Sequence, residues 1–466
     1  MRKIRIVGNS VAAPRVEREA PLAGWGQYLG EFLTEGYEVH NYARDAMTLR
    51  GYFSKRLAEL LTLLNPGDLV LLAFGRVEQR IDEPRRYHGP REYKEYLRLC
   101  VEAIRAEGGI PVLLTPEVRC AFDEAGNVVN TLGEYPELTR EAADETGALL
   151  VDMTQYTTAM LAELGPTRAR RLFRWLDPGE HPNHPEGVID ASHLNELGAR
   201  EVARLTAARL LETPGLPPDM VDPELLTPGE IPPVLTEFMV SNPEMALTMT
   251  PSVLGMPEFT SPTPRQLIGA MRKLAGRAPA GSDYVLFYEQ GRYLGGTAVS
   301  AAGTWQWRRT VNWSAGRHSV EALAVKGDAV SWTSVLEFEV LDHVEPPQVE
   351  GPKPDIWSGP RPRFFGKAAR GTTKVMVLEQ GRLIAAAPVK ADGTWQVTHA
   401  HDWRPGTHTV DFVGVFSAIH SEPASVTLRV HGIPEDSWLH TSLKSRETCS
   451  GGCEHYPAMP VWRADA

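Results

Sequence analysis

The chain has 466 residues, 23% of them charged, with a net charge of −11 and four cysteines. That length predicts two to four domains, each with its own core. No Lys/Arg block argues for nucleic acid, no apolar run of roughly eighteen residues predicts a membrane span, and so few cysteines argue against a disulfide framework.

From the N-terminus, Lys3-Ile-Arg-Ile-Val-Gly-Asn-Ser10 predicts a first strand ending in a serine. It lacks the apolar stretch and cleavage site of a secretory leader, so the expected location is cytoplasmic, or extracellular or at the cell surface if a leader has been removed. Leu22, Trp25, Leu29, Phe32 and Leu33 recur at helical spacing, and Tyr37–Asn41 predicts a short second strand. Phe53, Leu57, Leu60, Leu61 and Leu64 mark the next helix, closed by Asn65-Pro66-Gly67. Leu69–Phe74 is the continuous apolar run of a buried parallel strand. A third helix carries Tyr93, Leu97, Cys100, Val101 and Ile104, and strands are expected at Ile110–Leu114 and Ala148–Val151. Cys100 and Cys120 are expected to be ordinary buried thiols. This alternation predicts a three-layer α/β domain with a parallel sheet over residues 1–213. In such sheets the site gathers beyond the carboxyl ends of the strands, where Ser10 and the segments after Phe74 and Leu114 fall.

Residues 214–233 turn rich in Pro, Asp, Glu and Leu and predict a semi-rigid linker. Beyond it lies an internal repeat at a constant offset of 90 residues. Glu289-Gln-Gly-Arg292 recurs as Glu379-Gln-Gly-Arg382, Gly303-Thr-Trp305 as Gly393-Thr-Trp395, and Trp313, Gly316 and His318 as Trp403, Gly406 and His408. Short strands with turn signals and no helical period predict two β-sandwiches, residues 234–343 and 344–432, whose tryptophans belong in their cores. Their Gly-Thr-Trp and Gly-x-His-x-Val patterns resemble bacterial immunoglobulin-like modules. Residues 433–466 predict an irregular tail. There Cys449, Cys453 and His455 fall short of the four ligands of a structural zinc; a thiol pair without metal is expected, and whether it closes is open.

The chemistry concentrates at the two ends of the first domain. Asp190-Ala-Ser-His193 just before an amphipathic helix supplies a carboxylate that can orient an imidazole, and Ser10 supplies a nucleophile. Separately these are weak signals, since Gly-Asn-Ser is ordinary turn chemistry and Asp an ordinary helix cap. The Gly8 turn has neither a G-x-G-x-x-G pattern nor a Walker lysine, which argues against a phosphate loop. Together the three residues point to acyl transfer.

With Gly24-Trp-Gly-Gln-Tyr-Leu29, Ile110-Pro-Val-Leu-Leu-Thr-Pro116, Phe173–Asn183 and His193-x-Asn-Glu-x-Gly-Ala199, residues 3–212 resemble the SGNH (GDSL-type) hydrolases, in particular rhamnogalacturonan acetylesterase-like carbohydrate esterases. The resemblance implies a flavodoxin-like α/β/α fold and a Ser10–His193–Asp190 triad. It also implies an oxyanion hole built from the Ser10 and Ala46 N–H groups, an acetylated, pectin-like polysaccharide as partner, and no metal or organic cofactor. Three positions depart from the family pattern: Asn9 stands for its aspartate, Ala46 for its oxyanion glycine, and Val77 for the asparagine that gives a further donor. Loss of one such donor costs about 10²–10³ in rate. Arg76 and Asn9 are candidates to replace it. Arg76 and Glu78 are expected to face the cleft, there either reshaping specificity or pairing with each other, and His181 and His184 to rim it. Two functions follow: an active serine acetylesterase, or a catalytically degenerate relative that binds glycans or assembles at a surface. The sequence leaves the oligomeric state open.

Overall fold

The computed structural model describes residues 2–231, 246–247, 251, 254–270, 272–327, 329–352, 357–358 and 360–430. Cys449, Cys453 and the expected tail lie outside them. Five parallel strands, β1 (Arg2–Gly8), β2 (Tyr37–Asn41), β3 (Leu69–Ala73), β4 (Ile110–Leu114) and β5 (Leu149–Val151), form one sheet in the order β2-β1-β3-β4-β5. This is the flavodoxin-like order, and it puts the switch point between β1 and β3 at the carboxyl end of β1.

Alternation along the strands divides the core in two. Ile4, Ile6, Leu69, Leu71, Val112 and Leu114 face α5 (Met153–Ala169) and α6 (Glu196–Glu212). Val7, Val70, Leu72 and Leu113 face α1 (Leu49–Lys55), α2 (Leu57–Leu63), α3 (Pro90–Ala106) and α4 (Tyr135–Thr146). Three layers result.

Two helices differ from expectation. The segment with Leu22, Trp25, Leu29 and Phe32 is no α-helix but a series of short 3₁₀ turns at Glu17–Glu19, Trp25–Gln27 and Leu29–Phe32. Pro21 and three glycines (Gly24, Gly26, Gly30) interrupt it, while a three-residue turn still brings i and i+3 to one side. The single helix expected through Phe53 and Leu64 is broken at Arg56, whose φ of −131° is not helical. An antiparallel pair, β6 (Phe173–Leu176) with β7 (Val188–Leu194), was not expected at all. The proposed linker begins as part of the first domain: Met220 and Val221 are buried, Val221 bridges to Leu33, and Gly229 N–H donates to Glu201 at 2.6 Å.

The repeated region is two-layered in both copies and antiparallel except at one edge of each, where Leu267–Gly269 runs parallel to Ser334–Leu341 and Trp357–Ser358 parallel to Ala424–Val430. In the first copy β8 (Glu258–Ser261), β10 (Leu274–Arg277) and β13 (Thr304–Trp307) form one sheet. It faces a sheet of β9 (Leu267–Gly269), β11 (Tyr284–Glu289), β12 (Arg292–Ala298), β14 (Gly316–Lys326) and β16 (Ser334–Leu341), with β15 (Ala329–Val330) beside β14. The second copy repeats this order down to register: Trp305 pairs with Gly276, and Trp395 with Gly366. Trp305, Trp313, Trp395 and Trp403 are buried, as expected.

Both copies dock on the first domain. Residues 310–312 run beside Phe122 as a parallel bridge, with Phe122 N–H donating to Thr310 and Asn312 N–H donating to Phe122. Thr304 donates to Glu186 at 3.0 Å. The second copy packs Met376, Leu378, Val413 and Val415 around Ile81 and Tyr87, while Lys374 donates to the Asp82 carbonyl at 2.6 Å.

Candidate active site

Ser10 follows β1 in the turn at the switch point, half-buried. Its loop is pinned by Asn9, whose side-chain oxygen accepts from Val11 N–H at 3.2 Å, and by Arg15, which donates to the Ser10 carbonyl at 2.8 Å and to Asp45 at 2.6 Å. Asp190 and His193 sit on β7 rather than in a loop before α6; Asn195 is the helix cap, accepting from Gly198 N–H.

The three side chains meet. Ser10 Oγ lies 3.0 Å from His193 Nε2, and His193 Nδ1 lies 2.8 Å from Asp190 Oδ2. With Nδ1–H donating to the carboxylate, Nε2 is free to accept from the hydroxyl. The second Asp190 oxygen accepts from the N–H groups of Ser192 and His193 at 2.9 and 3.1 Å, and Arg174 donates to Oδ2 at 2.8 Å. Burial pushes the Asp190 carboxyl up, but the bond and charge of His193 and the two N–H groups outweigh it and hold the group well below the carboxylate range. Such a chain can make a hydroxyl nucleophilic and store its proton on the imidazole.

Two backbone donors stand open beside it. Among the described residues, neither Ser10 N–H nor Ala46 N–H donates a hydrogen bond. Ala46 takes a left-handed backbone, φ 52°, in the turn closed by Met47 N–H to the Arg44 carbonyl. A glycine would hold that conformation without the Cβ clash.

The segment after β3 differs from expectation. Arg76 and Glu78 do not pair with each other and do not line an open cleft; both are buried. Arg76 donates to the carbonyls of Glu117 and Ser192 at 2.7 and 2.6 Å, so it braces β7 behind His193. Glu78 accepts from the N–H groups of Leu49, Gly75 and Val77 at 2.7, 2.8 and 3.2 Å; burial nonetheless pushes its carboxyl up. Gly75 has φ 106°, and a Cβ there would meet Pro116 and the Tyr93 hydroxyl at 3.0 and 3.1 Å. Val77 is half-buried and offers no side-chain donor. Of the two suggested replacements, Arg76 is committed to carbonyls, whereas the Asn9 side-chain NH₂ has no partner among the described residues.

Sequence reasoning missed Arg174, Arg119 and Arg308. Arg119, pulled down to about 9 by burial and the neighbouring arginine charges, donates to the carbonyls of Thr131 and Arg76 at 2.8 and 2.9 Å. Arg174 stands one residue before Trp175, the strand partner of Ile189, a pairing invisible without the β6–β7 hairpin. His181 and His184 stand half-exposed in the loop of that hairpin, 6.3 Å apart. Among the described residues no cluster of three or more His, Cys, Asp or Glu side chains could hold a metal. Cys100 and Cys120 are buried free thiols, each pushed up to about 12 by burial.

A five-stranded parallel sheet in this order, with a hydrogen-bonded Ser, His and Asp beyond its first strand, defines an SGNH-type hydrolase domain. Comparison with known proteins carries this further. Rhamnogalacturonan acetylesterase RhgT of Bacillus subtilis (strain 168) is 35% identical over 216 residues, which is 46% of this chain and 91% of that protein. Probable rhamnogalacturonan acetylesterase YesY of the same organism is 30% identical, over 42% of this chain and 85% of that protein. The crystal structure of YxiM from Bacillus subtilis aligns at 25% identity and a TM-score of 0.40, covering 45% of this chain and 56% of that one. No protein-family model matches the chain. The chain belongs to the SGNH/GDSL esterase family of RhgT and YesY.

Proposed function

We propose that the protein is a serine esterase that removes O-acetyl groups from a polysaccharide of the rhamnogalacturonan or pectin type. Ser10 Oγ attacks the acetyl carbonyl while His193 Nε2 takes its proton. Asp190 holds the imidazole and stabilises the imidazolium without itself becoming protonated. The Ser10 and Ala46 N–H groups receive the oxyanion, with the Asn9 amide as the remaining side-chain donor nearby. His193 returns the proton to the leaving sugar oxygen, and water then releases acetate by the reverse sequence. Neither metal nor organic cofactor enters these steps. Residues 1–213, with the start of 214–233 packed onto them, form the catalytic domain in this reading, and 234–343 and 344–432 are immunoglobulin-like modules.

The observation that carries the proposal is the unbroken chain of contacts from Ser10 Oγ through His193 to Asp190, 3.0 and 2.8 Å, beside two N–H groups that have no partner among the described residues. The names of RhgT and YesY support the substrate class. Val77, which lacks the third donor, favours a second reading: a non-catalytic glycan-binding relative. Turnover of p-nitrophenyl acetate and acetylated pectin separates the two. The wild type is expected to be active and Ser10→Ala to lose several orders of magnitude; equal, slow hydrolysis by both would leave only the binding protein.

A further inference from the structure

We propose that the cleft between the catalytic domain and the first sandwich is a second binding site, built for a sugar chain that carries carboxylates. The assignment needs no chemistry at Ser10 and stands apart from the esterase reading. The cleft encloses about 450 Å³, within the range of small-molecule sites. Tyr284 and Tyr293, the edge of Trp307, and Arg292 and Arg308 line it from the sandwich, and Arg170 from the catalytic domain. Flat aromatic faces beside guanidinium groups suit a ring with apolar C–H faces and an attached carboxylate, which arginine can grip with two parallel bonds.

Two of these cations are unspent. Arg170 has Asp177 at 3.2 Å, and the neighbouring Arg309 lies over the Trp313 ring at 4.5 Å. Arg292 and Arg308 have no hydrogen bond or ion pair to the described residues, and Arg308 Nε is buried without a partner. Arg292 is exposed, whereas Arg308 is half-buried, with the Asp190 carboxylate acting on its charge but no hydrogen-bonded partner; that burial is costly, and an anion supplied from outside is the missing partner. The protein as a whole carries −11, so general attraction of anions does not account for the cluster. Arg308 also reaches the other domain, with its Cζ 5.9 Å from the centre of the Trp175 ring on β6, the strand paired with the Asp190 strand.

The second copy is an internal control. Ninety residues on, Tyr284, Tyr293, Trp307 and Arg308 are Lys374, Leu383, Val397 and Thr398, yet the strand order is the same. The sandwich therefore does not need these side chains to fold. Gly295 follows the same logic: a Cβ there would stand 2.9 Å from the Trp307 ring, and the second copy, with Val397, has Ala385. In that copy the equivalent face is closed by Met376, Leu383 and Ala386 against Ile81 and Tyr87. In the first copy the corresponding face, Leu286, Tyr288, Leu323 and Tyr293, packs against Ala246 and Leu247, and the cleft opens beside that contact, where Tyr284, Tyr293 and Arg308 line it.

The test is calorimetric titration of full-length Ser10→Ala with an octamer of galacturonic acid, with neutral xylohexaose, and with tripolyphosphate. Binding of the uronate at least tenfold tighter than of the other two is expected. The double variant Trp307→Val/Arg308→Thr, which installs the residues of the second copy, should weaken uronate binding at least tenfold while its melting temperature stays near that of the parent. Exposed Arg292→Gln should weaken it severalfold and serves where the double variant does not fold. Equal affinity for acidic and neutral oligosaccharides, equal or tighter binding of tripolyphosphate, or an affinity unchanged by both substitutions would overturn the assignment.

Discussion

Ala46 is the residue at which backbone and chemistry meet most directly. Its φ of 52° costs about 1 kcal/mol relative to a glycine, the penalty of an L-residue in the left-handed region. Ala46→Gly is accordingly expected to raise the urea midpoint by an amount equivalent to about 1 kcal/mol, with turnover equal or higher because the N–H stays in place; a lower midpoint would mean that the turn is not strained. Val77→Asn should raise turnover by restoring a donor, and a flat rate would show that Asn9 already fills that position. Asp190→Asn should lower kcat by about 10⁴, since the amide no longer selects the tautomer that leaves Nε2 free. Asp190 also links stability to pH. Its folded pKa lies below the unfolded value of about 3.9, so its contribution is complete above about pH 5 and is lost as the pH falls through the folded value. The stability gap between wild type and Asp190→Asn should therefore shrink from pH 6 to pH 3 in urea titrations. Ser10, Asp190 and His193 were legible because both ends of the domain carry compact motifs. Arg174 and Arg76 were not, because their partners are a carboxylate and carbonyls brought close only by folding.

At the level of elements, the segment after β3 shows how a departure from a family pattern is absorbed. Glu78 gathers three N–H groups that would otherwise be buried without acceptors, and Arg76 ties the same turn to β7. Glu78→Ala leaves those donors unpaired, and a loss of about 2–4 kcal/mol is expected in urea unfolding, with activity falling because the turn beside Ser10 loosens. A change under 0.5 kcal/mol would show that water replaces the carboxylate fully. The strands of the sheet were legible as apolar runs, whereas the spacing of Leu22 to Leu33 was mistaken for an α-helix because 3₁₀ turns also bring every third residue to one side. The β6–β7 pair was hidden for a different reason. The loop from Asp177 to Gly187, rich in Pro and His, separates the strands, and no two-residue turn signal marks the reversal.

Across the whole molecule, the repeat was readable from matches at one offset, but the docking of its copies was not. Phe122, Asn312, Ile81 and Tyr87 carry no periodic pattern of their own. Placing a charge in the second interface, Ile81→Asp, should detach the second copy without unfolding either partner. Small-angle scattering should then report a larger radius of gyration, and an unchanged radius would mean that Lys374 and its neighbours hold the contact alone.

The chain lengths involved impose an order in time. Ile81 and Tyr87 belong to the loop that follows Arg76 and Glu78, yet their apolar cover is supplied by Met376 to Val415, close to three hundred residues downstream. A ribosome finishes the hydrolase domain long before it delivers the second sandwich, so a nascent chain stalled near residue 260 should hold Ser10, His193 and Asp190 together while the loop beside them stays uncovered. Limited proteolysis of chains arrested before and after residue 415 should cut between residues 79 and 89 only in the shorter ones, which makes the last module a late assembly checkpoint for the first.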